Sequence, residues 1–254
     1  MNLNGARILL TGATGGIGSA LAKRLERAGA TLLRHGCSSR TLEDTSYIQA
    51  NLADDDDLDR LVEVGVAFEI DVLINCAGIN QFSGFEEADI DRMISTNVTG
   101  PMKLTQRLLP HLKSRGEAVI LNVGSTFGAI GYPGYVAYCA AKHAIKGFSE
   151  GLSRELSDSG IKVLYFSPRA TSTDMNSTAA SDLNIELGVD SDSPREVARQ
   201  IVSALVRDKN RLQMGGTERV QVKVNSLFPP LVDSAIAKQL PVIREHLKLT
   251  EQES

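Results

Sequence analysis

Cysteine is scarce in this chain, and its cysteines are poorly placed for crosslinks or metal binding. The 254 residues include three, an odd number with wide spacing and no CxxC pair: Cys37, Cys76 and Cys139. The four histidines also share no metal-ligand spacing: His35, His111, His143 and His246. Disulfides and metal sites are therefore not indicated, and we expect a reducing compartment, the cytoplasm.

Long hydrophobic runs and a strong charge imbalance are missing as well. No apolar stretch approaches the ~20 residues of a membrane span, and the N-terminus lacks the layout of a signal peptide. The formal net charge of -4 gives no electrostatic basis for binding nucleic acid. The 42% of hydrophobic residues is ordinary for a globular protein with a substantial core. We expect a cytoplasmic protein without a membrane span or a nucleic-acid partner.

Short apolar runs alternate with helical patterns along the chain. Strands are predicted at 7–11, 30–34, 47–51, 72–75, 118–123 and 163–166, and helices at 17–28, 55–65, 86–112, 135–157 and 194–208. This alternation predicts an α/β fold, a doubly wound parallel sheet with helices on both faces. The acidic run 54–57 is expected to begin a helix rather than to bind a metal. We predict one domain over 1–254, with a core at about 5–214 and a C-terminal extension at about 215–254.

Ligands of such a sheet bind beyond the carboxyl ends of the strands, and the first of these turns is rich in glycine. The segment TGATGGIG at 11–18 places Gly12, Gly16 and Gly18 between a predicted strand and a predicted helix. Glycine lets the backbone approach a phosphate closely, and the helix N-terminus presents free N–H groups to it. A phosphate-binding turn is favoured, with a simple glycine-rich turn as the alternative.

The turn after the second strand, HGCSSR at 35–40, contains no acidic residue. A carboxylate here would bond the ribose hydroxyls of an adenosine and repel a 2′-phosphate. Its absence, with Arg40 as the nearest cation, favours NADP(H) over NAD(H). The alternative is that Arg40 simply faces water.

Three later segments carry candidate chemistry. Small residues at 75–78, NCAG, would let the backbone lie against an adenosine, unless the segment is only a tight turn. Ser125 follows the fifth strand, either as a functional hydroxyl or as an ordinary cap. Tyr138 and Lys142 are four residues apart, so a helix places them on one face. Such a pair is also common in purely structural helices.

In order along the chain, these segments resemble the short-chain dehydrogenase/reductase family. The resemblance is carried by TGATGGIG, NCAG, Asn97 in STNVTG, Ser125 and YCAAK at 138–142, and it covers about 5–175 strongly and 194–208 loosely. It implies a Rossmann-like fold and a nicotinamide cofactor. The cofactor-binding residues that it implies are Gly12, Thr14, Gly16, Ile17, Gly18, Ser38, Arg40, Asn51, Leu52, Asn75, Ala77, Gly78, Tyr138, Lys142, Pro168, Thr171 and Thr173.

The resemblance also implies a proton transfer through tyrosine. Tyr138 would donate the proton in reduction and accept it in oxidation. Lys142 would lower the pKa of Tyr138 from ~10 and hold the nicotinamide ribose. Ser125 would orient the substrate oxygen, and Asn97 would hold a water that links Lys142 to solvent. Tyr135 is expected to line the pocket or to pack.

The chain departs from the family pattern in two regions. Arg169 follows Pro168 where the family usually carries glycine, so this loop is expected to have a different shape. The extension is expected to contain a strand at 220–224 and one or two helices over 231–249, broken by Pro241. Its apolar stripe is expected to pack on the domain or a neighbouring subunit, with a membrane-surface or partner-docking helix as the alternative: Leu231, Val232, Ala235, Ile236 and Leu240.

The segment 174–192 is predicted to be a polar loop without helical periodicity that closes over the substrate. Its Leu183, Ile185 and Leu187 would meet an acyl chain or anchor the loop. The favoured function is an NADPH-dependent reductase of a carbonyl, with a 3-oxoacyl thioester of acyl carrier protein or coenzyme A as substrate. The alternatives are an NAD-dependent dehydrogenase of another small secondary alcohol and a non-catalytic cofactor-binding scaffold. By resemblance, a homodimer or homotetramer is expected.

Overall fold

The computed structural model describes residues 1–38, 46–207 and 211–253, with side chains up to residue 250. In these ranges, seven parallel strands form one sheet in the order β3-β2-β1-β4-β5-β6-β7. The strands are β1 Arg7–Leu10, β2 Thr31–Gly36, β3 Tyr47–Gln49, β4 Val72–Asn75, β5 Ala118–Val123, β6 Ile161–Ser167 and β7 Arg211–Gln213. Because β1 pairs with both β2 and β4, the strand order reverses at β1, where such sheets bind their ligands.

Helices cover both faces of the sheet. They are α1 Gly16–Arg27, α2 Asp55–Ala67, α3 Ile90–Ile94, α4 Gly100–Ser114, α5 Val136–Glu155, α6 Thr178–Glu186, α7 Pro194–Arg207, α8 Gly216–Leu227 and α9 Pro229–Glu253. On one face, Leu21 of α1 and Ile201 of α7 pack against Ile8. On the other face, Leu61 of α2 and Leu104 of α4 pack in one cluster with residues of the sheet. The predicted doubly wound α/β fold is confirmed.

The predicted helix starts are made by capping side chains. Asp54 accepts a hydrogen bond from Asp57 N (2.9 Å) at the start of α2, and Asp55 pairs with Lys103 and Arg107 of α4. Ser193 Oγ likewise accepts from the backbone N–H three residues later, before α7. The acidic run 54–57 therefore begins a helix, as its position predicts.

The single helix predicted over 86–112 is wrong, because the structure divides it. A short 3₁₀ turn and α3 are followed by a π-helical segment at Ser95–Thr99, and only then does α4 begin. Pro101 lies in the first turn of α4 and has no N–H to donate to the turn before it. The backbone accordingly changes its hydrogen-bond spacing there. Isolated π turns are frequently found at functional sites.

Three predictions for the remaining segments are also wrong. The predicted loop at 174–192 contains α6, capped by Ser177, whose buried residues include two small alanines and so leave only a weak apolar stripe. The predicted strand at 220–224 lies within α8, after a turn at Gly215 with φ 79°. Pro241 does not break α9, since packing against α6 stabilises the helix across it. The three-residue strand β7 was not predicted. In the described ranges, no helix is long and apolar enough to span a membrane.

Candidate active site

A cleft opens at the carboxyl ends of β1 and β4. It contains a cavity of about 680 Å³ whose walls include Gly15 and Gly16 on one side, Gly78 and Ile79 on another, and Met175 on a third. A second cavity, of about 520 Å³, lies beyond the end of β2. Together the two cavities offer space for an extended ligand near the predicted glycine-rich turn.

The glycine-rich turn requires glycine for close backbone contacts. Gly12 has φ 68°, and a Cβ there would lie 2.6 Å from Ala77 Cα. A Cβ on Gly18 would lie 2.0 Å from Gly12 O. Gly15 precedes α1 without a side-chain cap, so the first N–H groups of the helix are left for a ligand. This cradle fits the pyrophosphate of a dinucleotide. Thr14 lines the same cavity, whereas Ile17 is partly buried against the core.

A threonine at the end of β1 joins the two cofactor turns, and its role was missed from the sequence. Thr11 Oγ1 accepts from Cys76 N (3.0 Å) and Ala77 N (3.1 Å) and donates to Ile74 O (3.3 Å). Its position as first letter of TGATGGIG was the available signal. Asn75, by contrast, turns its amide into a buried network, donating to Asn122 Oδ1 (2.8 Å). Its predicted cofactor contact stays a prediction.

The adenosine end of the cleft brings some predicted residues together and leaves others elsewhere. Asn51 lines the second cavity with Cys37, while Ser38 beside it is exposed. Leu52 is 2% exposed and packs in the core. Arg40 lies outside the described residues. The cofactor roles of these residues stay predictions.

Ser125 and Tyr138 meet at the end of β5. Ser125 begins a 3₁₀ turn and its Oγ accepts from Phe127 N (3.1 Å). Tyr138 lies in the first turn of α5, and its hydroxyl is hydrogen-bonded to the Ser125 side chain. Burial raises the pKa of Tyr138, and the hydrogen bond with Ser125 opposes that rise. The Ser125 and Tyr138 side chains therefore interact just beyond the carboxyl end of β5.

Lys142 is buried one turn along α5. Its Nζ lies 5.5 Å from the centroid of the Tyr138 ring and donates to Val123 O (3.2 Å). Burial lowers the pKa of Lys142 to about 8, and the Cys76 thiol partly offsets this effect. The expected lowering of the Tyr138 pKa by Lys142 is not seen in this structure. Burial of the phenol dominates instead, because the ammonium is held over the ring and bonded to a carbonyl rather than to the hydroxyl.

Asn97 reaches the same site from the π-helical segment. Its Oδ1 accepts from Ile79 N (2.9 Å) and its Nδ2 donates to Ile79 O (2.9 Å). A Cβ on Gly78 would lie 2.9 Å from Asn97 Oδ1 and 3.7 Å from Lys142 Nζ. The glycine therefore lets the amide and the ammonium approach the same turn.

The loop after β6 forms the opposite wall of the cleft. Pro168 O accepts from Thr126 N (3.1 Å) and Thr126 Oγ1 (3.3 Å), next to Ser125. A Cβ on Gly16 would lie 2.7 Å from Thr173 Cγ2, so this threonine covers the glycine-rich turn. Thr171 Oγ1 turns back to Arg169 O (2.9 Å). Arg169 keeps an ordinary backbone conformation, as the departure from glycine requires.

Aromatic rings surround the substrate side of Tyr138. The Tyr135 centroid lies 5.1 Å from those of Phe82 and Phe127, and Phe127 lies 6.3 Å from Tyr138 in an edge-on arrangement. Tyr135 is 7% exposed and packs, as expected. Tyr132 extends the cluster by stacking on Phe127.

The C-terminal extension lies over this aromatic cluster. Ile243 of α9 is fully buried among Phe82, Tyr135 and Leu183 of α6, and Tyr132 OH donates to Gln239 Oε1 (2.8 Å). Leu231, the first residue of the predicted stripe, is 64% exposed in this chain, so the stripe does not pack on the domain there, and its packing on a neighbouring subunit stays a prediction. The buried face of α9 instead lies further along, where the helix meets α6.

The segment 174–192 has three apolar residues that were predicted to meet an acyl chain or to anchor the segment. Two of them pack inside the protein. Leu183 is 2% exposed and Leu187 packs against the same cluster, but Ile185 is 78% exposed. Glu186 at the end of α6 accepts from His246 Nε2 of α9 (2.9 Å). α6 and α9 therefore form one layer, the roof, over the aromatic cluster.

Comparison with known proteins identifies the family of this chain. The family model for short chain dehydrogenases matches residues 6–184. A 3-oxoacyl-[acyl-carrier-protein] reductase of Vibrio harveyi is 31% identical over 221 residues, covering 80% of this chain and 90% of its own. A gluconate 5-dehydrogenase of Gluconobacter oxydans is 32% identical over 197 residues, covering 71% and 77%.

Among solved structures, a short chain dehydrogenase of Burkholderia cenocepacia in complex with NADP superposes with a TM-score of 0.75 at 29% identity. The match covers 85% of this chain and 98% of that one. The family model and these relatives define a class of nicotinamide-dependent oxidoreductases. The chain belongs to the short-chain dehydrogenase family and is an NAD(P)-dependent oxidoreductase.

Proposed function

We propose that this protein is an NADPH-dependent carbonyl reductase that acts on a 3-oxoacyl thioester carried by acyl carrier protein or coenzyme A. The observation that carries the proposal is the meeting of the Ser125 and Tyr138 side chains beside buried Lys142, just beyond the carboxyl end of β5 in a sheet whose first turn is rich in glycine. The similarity to 3-oxoacyl reductases supports the choice of substrate.

The residues divide the chemistry among themselves. The bound cofactor supplies the hydride. The Ser125 hydroxyl donates a hydrogen bond to the carbonyl oxygen and holds it beside the Tyr138 hydroxyl. Tyr138 then transfers its proton to that oxygen, because the developing alkoxide is far more basic than the ketone. Lys142 offsets the phenolate charge that remains, and Asn97 orders the turn at Ile79 beside the ammonium.

The aromatic rings and the roof formed by α6 and α9 support an apolar substrate body. Ile243, Leu183 and Tyr135 would exclude water from the reacting carbonyl, which strengthens every charge interaction there. An acyl chain fits these walls better than a polyhydroxylated chain does, since a buried hydroxyl without a partner is costly.

A second candidate function is an NAD-dependent dehydrogenase of another small secondary alcohol. The similarity to a gluconate 5-dehydrogenase favours it. The preference for NADP(H) rests on two features of the sequence at 35–40. No acidic residue is present there, and Arg40, which lies outside the described ranges, is the nearest cation. A cytoplasmic, homo-oligomeric enzyme completes the proposal, in keeping with three free cysteines.

The test follows the absorbance of NADPH and of NADH during incubation with 3-oxoacyl-coenzyme A and, in parallel, with 5-ketogluconate. Rapid oxidation of NADPH by the thioester supports the proposed reductase. Turnover of the sugar acid with NADH alone would support the second candidate. Absence of turnover with both would reject both substrate assignments.

A further inference from the structure

Arg169 joins three separate segments of the chain. Its Nε and Nη2 donate to the two carboxylate oxygens of Asp192, each at 2.9 Å. Its Nη1 lies 3.5 Å from Asp190 Oδ2 and 3.6 Å from Glu218 Oε1 of α8. One guanidinium therefore bridges three segments: the loop after β6, the connection between α6 and α7, and the C-terminal extension. Arg169 and Asp192 are thus joined by two parallel hydrogen bonds. The pair is partly shielded from solvent, since the Asp192 side chain is 14% exposed.

Backbone hydrogen bonds reinforce the same junction. Asp192 N donates to Ala170 O (2.8 Å), and Ser172 N donates to Asp192 O (3.0 Å). The short stretch from 170 to 172 is thus held to Asp192 by its main chain, while the Arg169 side chain grips the same residue. The turn at Gly215 brings Glu218 to this point at the start of α8.

The other side of this loop faces the cofactor cleft. Pro168 is bonded to Thr126, next to Ser125, and Thr173 lies on Gly16. Asp174 and Met175 line the 680 Å³ cavity. Any shift of the loop would therefore move both a wall of the cleft and the neighbour of Ser125.

We propose that Arg169 is a positioning residue for the cofactor: by binding Asp192 and Glu218 together, it holds the wall 168–175 of the cleft against the C-terminal extension. The proposed role of this clamp, formed by Arg169, Asp192 and Glu218, requires only that a nicotinamide cofactor occupies the cleft, and it holds whichever carbonyl or alcohol is the substrate.

The test compares two arginines that make the same two-point pair. Arg169→Gln breaks the clamp, whereas Arg199→Gln breaks the Arg199–Glu196 pair (2.8 and 2.6 Å), which lies within α7 and joins no loops. Titration calorimetry with NADPH and with NADH gives the cofactor Kd. We expect Arg169→Gln to raise the Kd of the tighter cofactor roughly tenfold, and Arg199→Gln to leave it within about twofold.

Two further variants separate positioning from general stability. Arg169→Lys keeps the charge but loses the planar fork, so we expect a partial rescue, with Kd raised only about threefold. Glu218→Gln should weaken cofactor binding in the wild-type chain but add little in the Arg169→Gln chain, since coupled residues are not additive. Thermal unfolding without cofactor reports the stability of every variant.

The proposal is overturned if Arg169→Gln lowers the melting temperature but leaves the Kd unchanged, or if both glutamine variants raise the Kd equally. Should Arg169→Gln not fold, Arg169→Lys against Arg199→Lys decides by the same criterion. No turnover is measured here. If the protein binds NADPH but reduces no carbonyl, the proposed function is rejected, whereas the comparison of cofactor Kd values still tests the role of Arg169.

Discussion

Lys142 Nζ lies 5.5 Å from the ring centroid of Tyr138 and donates its hydrogen bond to Val123 O rather than to the phenol. The lysine is thus anchored to the end of β5 while its charge remains beside the tyrosine. The pair therefore connects the end of β5 to the face of the Tyr138 ring.

The first prediction concerns the identity of the acid. We expect Tyr138→Phe to lower kcat/KM roughly 100- to 10,000-fold, the usual contribution of a positioned acid, while the NADPH Kd changes little. Tyr135→Phe is the matched control, since that tyrosine packs against Phe82 and Phe127. Steady-state kinetics and a cofactor titration measure both. Equal losses in the two variants would disprove the assignment of the proton to Tyr138.

The second prediction follows from the burial of Lys142. Its folded pKa of about 8 lies below the ordinary 10.5, so the unfolded chain binds more protons between these values. Stability from this group is therefore reduced below pH 8 and rises as pH increases toward 10.5. Relative to Lys142→Met, the wild type should gain about 2–3 kcal/mol in free energy of unfolding between roughly pH 7.5 and 10.

Urea unfolding at both pH values measures this gain. Lys238→Met on the exposed side of α9 serves as the control for an ordinary lysine. A constant difference between wild type and Lys142→Met across the pH range would contradict the lowered pKa.

The third prediction concerns the roof over the substrate side. Ile243→Ala removes a fully buried side chain, so we expect a loss of about 2–4 kcal/mol in unfolding free energy. If the substrate chain lies against this cluster, as proposed, the space left by the side chain should also shift kcat/KM toward longer acyl chains. Leu231→Ala, on the same helix but 64% exposed, should change stability by less than about 0.5 kcal/mol.

A series of 3-oxoacyl thioesters of increasing length measures the shift. If Ile243→Ala is destabilised but its chain-length profile matches that of the wild type, α9 covers the domain without shaping the substrate pocket.

The fourth prediction concerns the cofactor. Ser38 is exposed just after β2, where a carboxylate would meet the adenosine ribose. Ser38→Asp should reduce the NADPH/NADH ratio of kcat/KM at least roughly tenfold, because like charges at close range cost several kcal/mol. Ser38→Asn introduces a side chain of the same size as aspartate but without its charge, so it should keep the NADPH/NADH ratio of the wild type. An unchanged NADPH/NADH ratio in Ser38→Asp would show that the 2′-phosphate does not bind near this turn.

Much of the fold was predictable because its signals are local. Buried strands such as β4 and β5 are short apolar runs, and helices such as α7 carry their caps in the adjacent residues. The glycine-rich turn and the Tyr138–Lys142 spacing also lie within single segments. The family resemblance added the roles of Ser125 and Asn97, which no local pattern defines.

Local patterns in the chain were therefore enough to predict the alternation of strands and helices, the doubly wound sheet and the placement of candidate groups after its strands. The remaining features depend on contacts between segments that are far apart in the chain. Alternating valines at 220–224 favour a strand locally, yet they form α8, and Pro241 sits inside α9 because that helix is stabilised by distant residues of α6 and the aromatic cluster. Likewise, the pKa values of Tyr138 and Lys142 and the clamp between Arg169, Asp192 and Glu218 depend on burial and charges from segments far apart in the chain. Desolvation and long-range contacts are properties of the folded chain, and no spacing of residues encodes them locally.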